Sequence, residues 1–184
     1  MKRIVPLLFV LVLACGLPLT ASAQQSRKSP HETISRKVEG NRITIVYGRP
    51  YTKDPKTSEP RKIWGALVPY DKVWRLGADE ATTLITQQPI DLGGLAVPAG
   101  AYTLFMIPAA DGTAQLLVNK EIGQWGIDPY HADRELGRVP MKGAPLAPTV
   151  HQLTLALENG HPRGGVLRIM WEDTQFSVPY TVKP

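Results

Sequence analysis

Arg42-Ile43-Thr44-Ile45-Val46-Tyr47 is the stretch that decides the fold class. Side chains alternate between the two faces of a strand, so Ile43, Ile45 and Tyr47 share one side. Isoleucine, threonine, valine and tyrosine all favour strands. A second β-rich run lies just upstream at 33–38. Between the two stand Glu39-Gly40-Asn41, a hairpin signal.

The same alternation recurs along the chain. Pro50, Pro55 and Pro60 first interrupt it, and proline cannot donate to a ladder, so 49–60 reads as a long exposed loop. Apolar runs return at 63–68 and 73–76, on either side of a turn at 69–72. Further β-rich runs cover 82–87, 95–97, 101–107 and 114–119, with turn signals at Gly93-Gly94, Pro98-Ala99-Gly100 and Asp111-Gly112. The stretch 120–148 is rich in glycine and proline and reads as loops with at most a helical turn or short strand. Strands resume at 150–157, 166–171 and 175–182. Leu153, Leu155 and Leu157 share one face, as do Phe176, Val178 and Tyr180. About nine or ten strands, little helix and frequent turns predict an all-β fold, a β-sandwich of jelly-roll or Ig-like kind. It should form a single domain over 33–184.

The first residues carry a different message. Met1-Lys2-Arg3, an apolar run broken by Gly16 and Pro18, and Ala21-Ser22-Ala23 compose a signal peptide over 1–23. A spanning helix needs roughly 20 unbroken apolar residues, so no transmembrane segment is expected in the mature chain. Residues 24–32 read as a flexible leader. Cys15 is the only cysteine, and Val12-Leu13-Ala14-Cys15 loosely resembles a lipoprotein signal. The cut after Ala23 gives a periplasmic product; the alternative is a lipoprotein anchored through Cys15. Loss of Lys2 and Arg3 leaves a mildly basic chain, without the strongly basic footprint of a nucleic-acid binder.

The middle of the chain resembles a bacterial exported family known as domain of unknown function 2911. The resemblance rests on Tyr47-Gly48-Arg49-Pro50, Arg61-Lys62-Ile63-Trp64-Gly65, Leu67-Val68-Pro69-Tyr70 and the run from Val73 to Thr82. It continues in the run from Pro98 to Phe105 and in Gln124-Trp125-Gly126. It spans roughly 33–182 and implies export and a β-rich fold, but no reaction. Two departures stand out. Leu76-Gly77-Ala78-Asp79 replaces a common Thr-Gly-Ala-Asn, and the loop from Pro50 to Arg61 is long, with Pro60 at a common glycine position.

The candidate ligand-binding set is Arg49, Arg61, Arg75, Asp79 and Glu80, flanked by Trp64, Trp74 and Tyr70. Arginine offers a planar fork that suits carboxylate or phosphate and stacks on aromatic rings. Tryptophan beside polar groups also suits sugar rings. A structural reading competes with this one: Trp64 and Trp74 as core anchors, and Arg75 with Asp79 or Glu80 as an internal ion pair. Asp79 and Glu80 make a poor acid/base pair, because glycosidase carboxylates stand about 5 to 9.5 Å apart across a bond. His31, His131, His151 and His161 lack ligand spacing; only His131, near Asp128 and Asp133, resembles a metal corner. There is no nucleophile elbow and no phosphate loop, and no cofactor or metal is expected. Gln124-Trp125-Gly126 reads as a turn with Trp125 plugging a core edge, or as a platform for a ring. Trp171 reads as core. The expected function is a non-catalytic envelope module that binds a small anionic molecule, a glycan or an envelope protein. The alternatives are an envelope hydrolase using Arg75, Asp79 and Glu80, and a purely structural envelope protein.

Overall fold

The structure is a computed structural model that describes residues 27–161 and 163–183. The signal peptide expected at 1–23, with Cys15, and the first residues of the expected leader lie outside the described residues. Nine antiparallel strands account for most of the described chain: β1 (His31–Val38), β2 (Asn41–Gly48), β3 (Thr82–Thr86), β4 (Ile90–Leu92), β5 (Leu95–Val97), β6 (Gly100–Pro108), β7 (Thr113–Asn119), β8 (Glu135–His161) and β9 (Gly164–Val182). One 3-10 turn, Ala132–Arg134, is the sole helical element among the described residues. The strand order is β1-β2-β3-β6-β7-β8-β9-β4-β5.

Turn chemistry sets the hairpins. Val38 pairs with Asn41, leaving Glu39 and Gly40 as a two-residue loop with φ of 49° and 79°. Two positive φ values make the turn whose twist matches the flanking strands. The side chain of buried Asn41 fastens the same corner, taking the N–H groups of Gln87 and Gln88 and donating to Thr86 Oγ1 at 2.9 Å.

Four parts of the sequence reading change. β1 begins at His31 instead of Thr33, inside the presumed flexible leader. The runs 63–68 and 73–76 make only isolated bridges, Trp64 to Val68 and Trp74 to Met106. Positive φ values at Gly65, Asp71 and Leu76 stop any ladder there. The runs 166–171 and 175–182 fuse into β9, with Glu172 at φ 58° as an irregular point. The largest change is β8, since 135–148 is strand. Residues 135–142 pair with β7 and residues 143–161 pair with β9. Each half has one ladder partner, and proline is tolerated on a strand with an unpaired side. Pro140, Pro145 and Pro148 therefore do not break it.

The predicted faces form the core. Ile43, Ile45 and Tyr47 lie buried with Leu153, Leu155, Leu167, Ile169, Trp171, Phe176, Val178 and Tyr180 in one cluster. Each large side chain so buried contributes roughly 1.5–3 kcal/mol.

The outer edge of β8 is covered by an isolated bridge from Tyr51 to Gln152, with Leu153 N–H donating to Pro50 O and Thr52 N–H to His151 O, and beyond it by side chains. Arg36 Nη1 donates to Leu157 O at 2.9 Å, and Leu155 N–H donates to Tyr47 Oη at 3.0 Å. Arg49 Nε donates to Leu153 O at 3.0 Å. Alternate β8 residues are thus served from β1, β2 and the residue just after β2. A buried backbone group without a partner would cost as much as a lost hydrogen bond. This stitching brings the start of the 49–81 loop over β8 and β9.

Candidate functional site

The 74–82 segment is pinned at nearly every residue. Trp74 exchanges backbone hydrogen bonds with Met106, and its Nε1 donates to Gly77 O at 3.2 Å. Thr82 donates from Oγ1 to Leu76 O at 2.8 Å and from its N–H to Arg75 O. Gln124-Trp125-Gly126 clamps the loop from behind: Ala81 N–H donates to Gln124 O, and Gly126 N–H to Asp79 O at 2.9 Å. Trp125 itself is 36% exposed and does not plug the core edge.

This loop carries strain. Leu76 and Asp79 sit at φ 53° and 62°, a left-handed region that costs most residues about 1–2 kcal/mol. Aspartate tolerates it better than a buried leucine. Ala78 lies so near the end of β2 that a Cβ on Gly48 would stand 2.2 Å from its carbonyl oxygen. The sequence therefore needs glycine at 48.

Above this loop opens a pocket of about 430 Å³. Its lining includes Trp74 and Trp171, stacked with ring centres 5.8 Å apart. Arg61 and Arg75 line it, together with Lys28, Ser29, Tyr51, Asp54 and Lys56. Of the eight residues singled out from the sequence, Arg61, Trp74, Arg75 and Asp79 come together here.

The guanidinium of Arg75 makes no hydrogen bond or ion pair with any described residue, and its Nε is buried and unpartnered. Burial lowers its pKa from the ordinary arginine value, and the charge of Asp79 offsets this only in part. Arg61 donates from Nη2 to Tyr51 O, but its Nε is also buried and unpartnered.

The carboxylates are committed elsewhere. Asp79, 7% exposed, accepts the N–H groups of Lys28 and Ser29, each at 3.1 Å to Oδ2. Glu80 accepts Arg27 Nη2 at 2.6 Å and lies 2.9 Å from His31 Nε2. Burial pushes the Glu80 carboxyl up, but the Arg27 hydrogen bond, its own N–H and the nearby positive charges outweigh this and leave it below its ordinary value. The Arg75 ion pair with Asp79 or Glu80, offered by the structural reading, is not formed among the described residues.

The other sequence candidates lie elsewhere. Arg49 is spent on β8, with Nη2 2.9 Å from Thr154 Oγ1 and Nη1 2.9 Å from Glu32 Oε2. Trp64 and Tyr70 line a separate hollow of about 110 Å³ beside Phe176. Trp64 also packs edge-on against Trp74 and Trp171 at 6.1 and 6.3 Å. It thus stands beside the aromatic pair without lining the larger pocket.

Among the histidines, His131 Nδ1 lies 2.7 Å from Glu121 Oε2, and His151 Nδ1 lies 3.3 Å from Thr52 Oγ1. No group of three or more metal-ligating side chains occurs among the described residues. No helix there is long and apolar enough to cross a membrane.

Sequence reasoning missed Lys28, Ser29, Tyr51, Lys56 and Trp171 as pocket residues. Lys28 and Ser29 sit in a polar stretch without periodicity and carry no signal. Lys56 belongs to a visibly charged loop. Trp171 is core, as expected, and also lines the pocket.

An all-β domain with an arginine-lined pocket over stacked tryptophans is what the fold and site define. The chain belongs to the family described as Protein of unknown function (DUF2911), whose model matches residues 29–180. Neither curated proteins nor solved structures yield a match.

Proposed function

We propose that this chain is an exported, non-catalytic binding domain that takes a small anionic molecule in the pocket between Arg61 and Arg75. The observation that carries the reading is the Arg75 guanidinium, half-buried and without a partner among the described residues, beside stacked tryptophans. An arginine that served only the fold would hold a carboxylate or a carbonyl, as Arg49 does. The hydrogen bonds of Asp79 and Glu80 to residues 27–29 give both carboxylates a structural role, which supports binding over hydrolysis. Under this reading the signal at 1–23 directs export to the periplasm. The scaffold is a β-sandwich whose two sheets share β8, with the pocket on a loop held by rigid strands.

A thermal-shift screen of the purified protein against organic anions, glycans and divalent metals tests the proposal. An anion at about 100 times its dissociation constant is expected to add about 2.7 kcal/mol, and a folded Arg75→Ala variant is expected to lose that gain. Stabilisation by glycans alone would transfer the site to sugars. No stabilisation by any compound would shift the weight to a protein partner.

A further inference from the structure

The polar atoms left unpartnered in the pocket lining share one property. Arg61 Nε, Arg75 Nε and Trp171 Nε1 are all donors, and no buried side-chain acceptor of the lining lacks a partner among the described residues. All three atoms are closed to water and so to a ligand as well, and what Arg61 and Arg75 bring to the pocket is their positive charge. The lining carboxylates also serve the backbone. Asp79 holds Lys28 and Ser29, and Asp54 Oδ1 holds Lys56 N–H at 2.8 Å and Thr57 N–H at 3.3 Å. The lining counts four cations, Lys28, Lys56, Arg61 and Arg75, against two carboxylates, Asp54 and Asp79, so it carries a net positive charge.

A sugar hydroxyl both donates and accepts, and an amide or amine must donate. Burying such a donor without an acceptor costs about 1–3 kcal/mol. A carboxylate or phosphate accepts only, and arginine meets it with charge-assisted bonds. Trp74, Trp171, Leu67 and Val68 supply an apolar surface beside the donors.

Resting on the binding reading above, we infer that the pocket is specific for a deprotonated oxyanion carried on an apolar or aromatic body, and discriminates against neutral isosteres and glycans. Charge and acceptor-only chemistry select the ligand; ring shape alone does not.

Calorimetric titration of the purified protein with benzoate, phenyl phosphate, benzamide and methyl β-glucoside tests this. At neutral pH benzoate or phenyl phosphate is expected to bind at least tenfold more tightly than benzamide, with no heat from the glucoside. Arg75→Met is expected to abolish the preference, and its unfolding curve shows whether it remains folded. Arg61→Lys is a milder second variant that keeps the charge and loses the fork. Benzamide or glucoside binding as tightly as benzoate, and weakened by Arg75→Met, would overturn the oxyanion inference while leaving a binding site. No binding by any of the four would overturn the pocket reading itself.

Discussion

Two arginines of one loop, Arg49 and Arg75, show how alike residues acquire different work. Arg49 spends its guanidinium on Leu153 O, Thr154 Oγ1 and Glu32. Arg75 spends its guanidinium on no described residue and is held half-buried. Arg49→Met is therefore expected to lose about 1–3 kcal/mol, the cost of leaving Leu153 O and its neighbours unpaired, as read from urea unfolding. Arg75→Met removes a charge that burial disfavours and is expected to leave stability equal or higher. Equal losses in the two variants would erase the distinction. The sequence placed both arginines in one cluster because both lie near tryptophans and acids. It held no clue that Arg49 meets β8, whose contacts lie a hundred residues further on.

At the level of elements, the segment before β1 and the 74–82 loop act as one unit. Lys28 and Ser29 deliver their N–H groups to Asp79, and Arg27 and His31 bring their side chains to Glu80. Because the folded-state pKa of Glu80 lies below its ordinary value of 4.5, its stabilising contribution is present in full above that value. It is lost as pH falls through the lowered one. Wild type is thus expected to exceed Glu80→Gln in stability at pH 7 and to see that lead shrink as pH falls below 4.5, in urea unfolding across an acid series. A lead that persists in acid would contradict the pairing. Gly48→Ala tests the other side of the loop: a methyl driven at Ala78 O is expected to cost about 1–3 kcal/mol, as overpacking does, and to weaken benzoate binding. Gly48→Ala with wild-type stability and binding would show that the loop does not rest on β2. None of this unit was legible upstream of Thr33, since a polar run without periodicity looks alike whether it floats or docks. Asp79 and Glu80 were legible as a polar pair, but their partners were not.

Over the whole molecule, the all-β class and most strand positions were legible, because period-2 alternation is local and β2 and β9 carry it plainly. β8 was hidden: its prolines imitate a loop, and only the change of partner from β7 to β9 explains them. With a single cysteine the chain forms no internal disulfide, so its melting temperature is expected to be the same with and without reductant. A reductant-dependent shift would point to a covalent dimer. Under the proposed function Arg75 belongs to a ligand and not to the fold. Urea unfolding of wild type and Arg75→Met, each with and without benzoate, tests it most directly. Benzoate is expected to stabilise wild type only, while unliganded Arg75→Met matches or exceeds unliganded wild type. An Arg75→Met variant that is less stable by about 2 kcal/mol, as when a satisfied buried polar group is broken, yet still gains from benzoate, would contradict it.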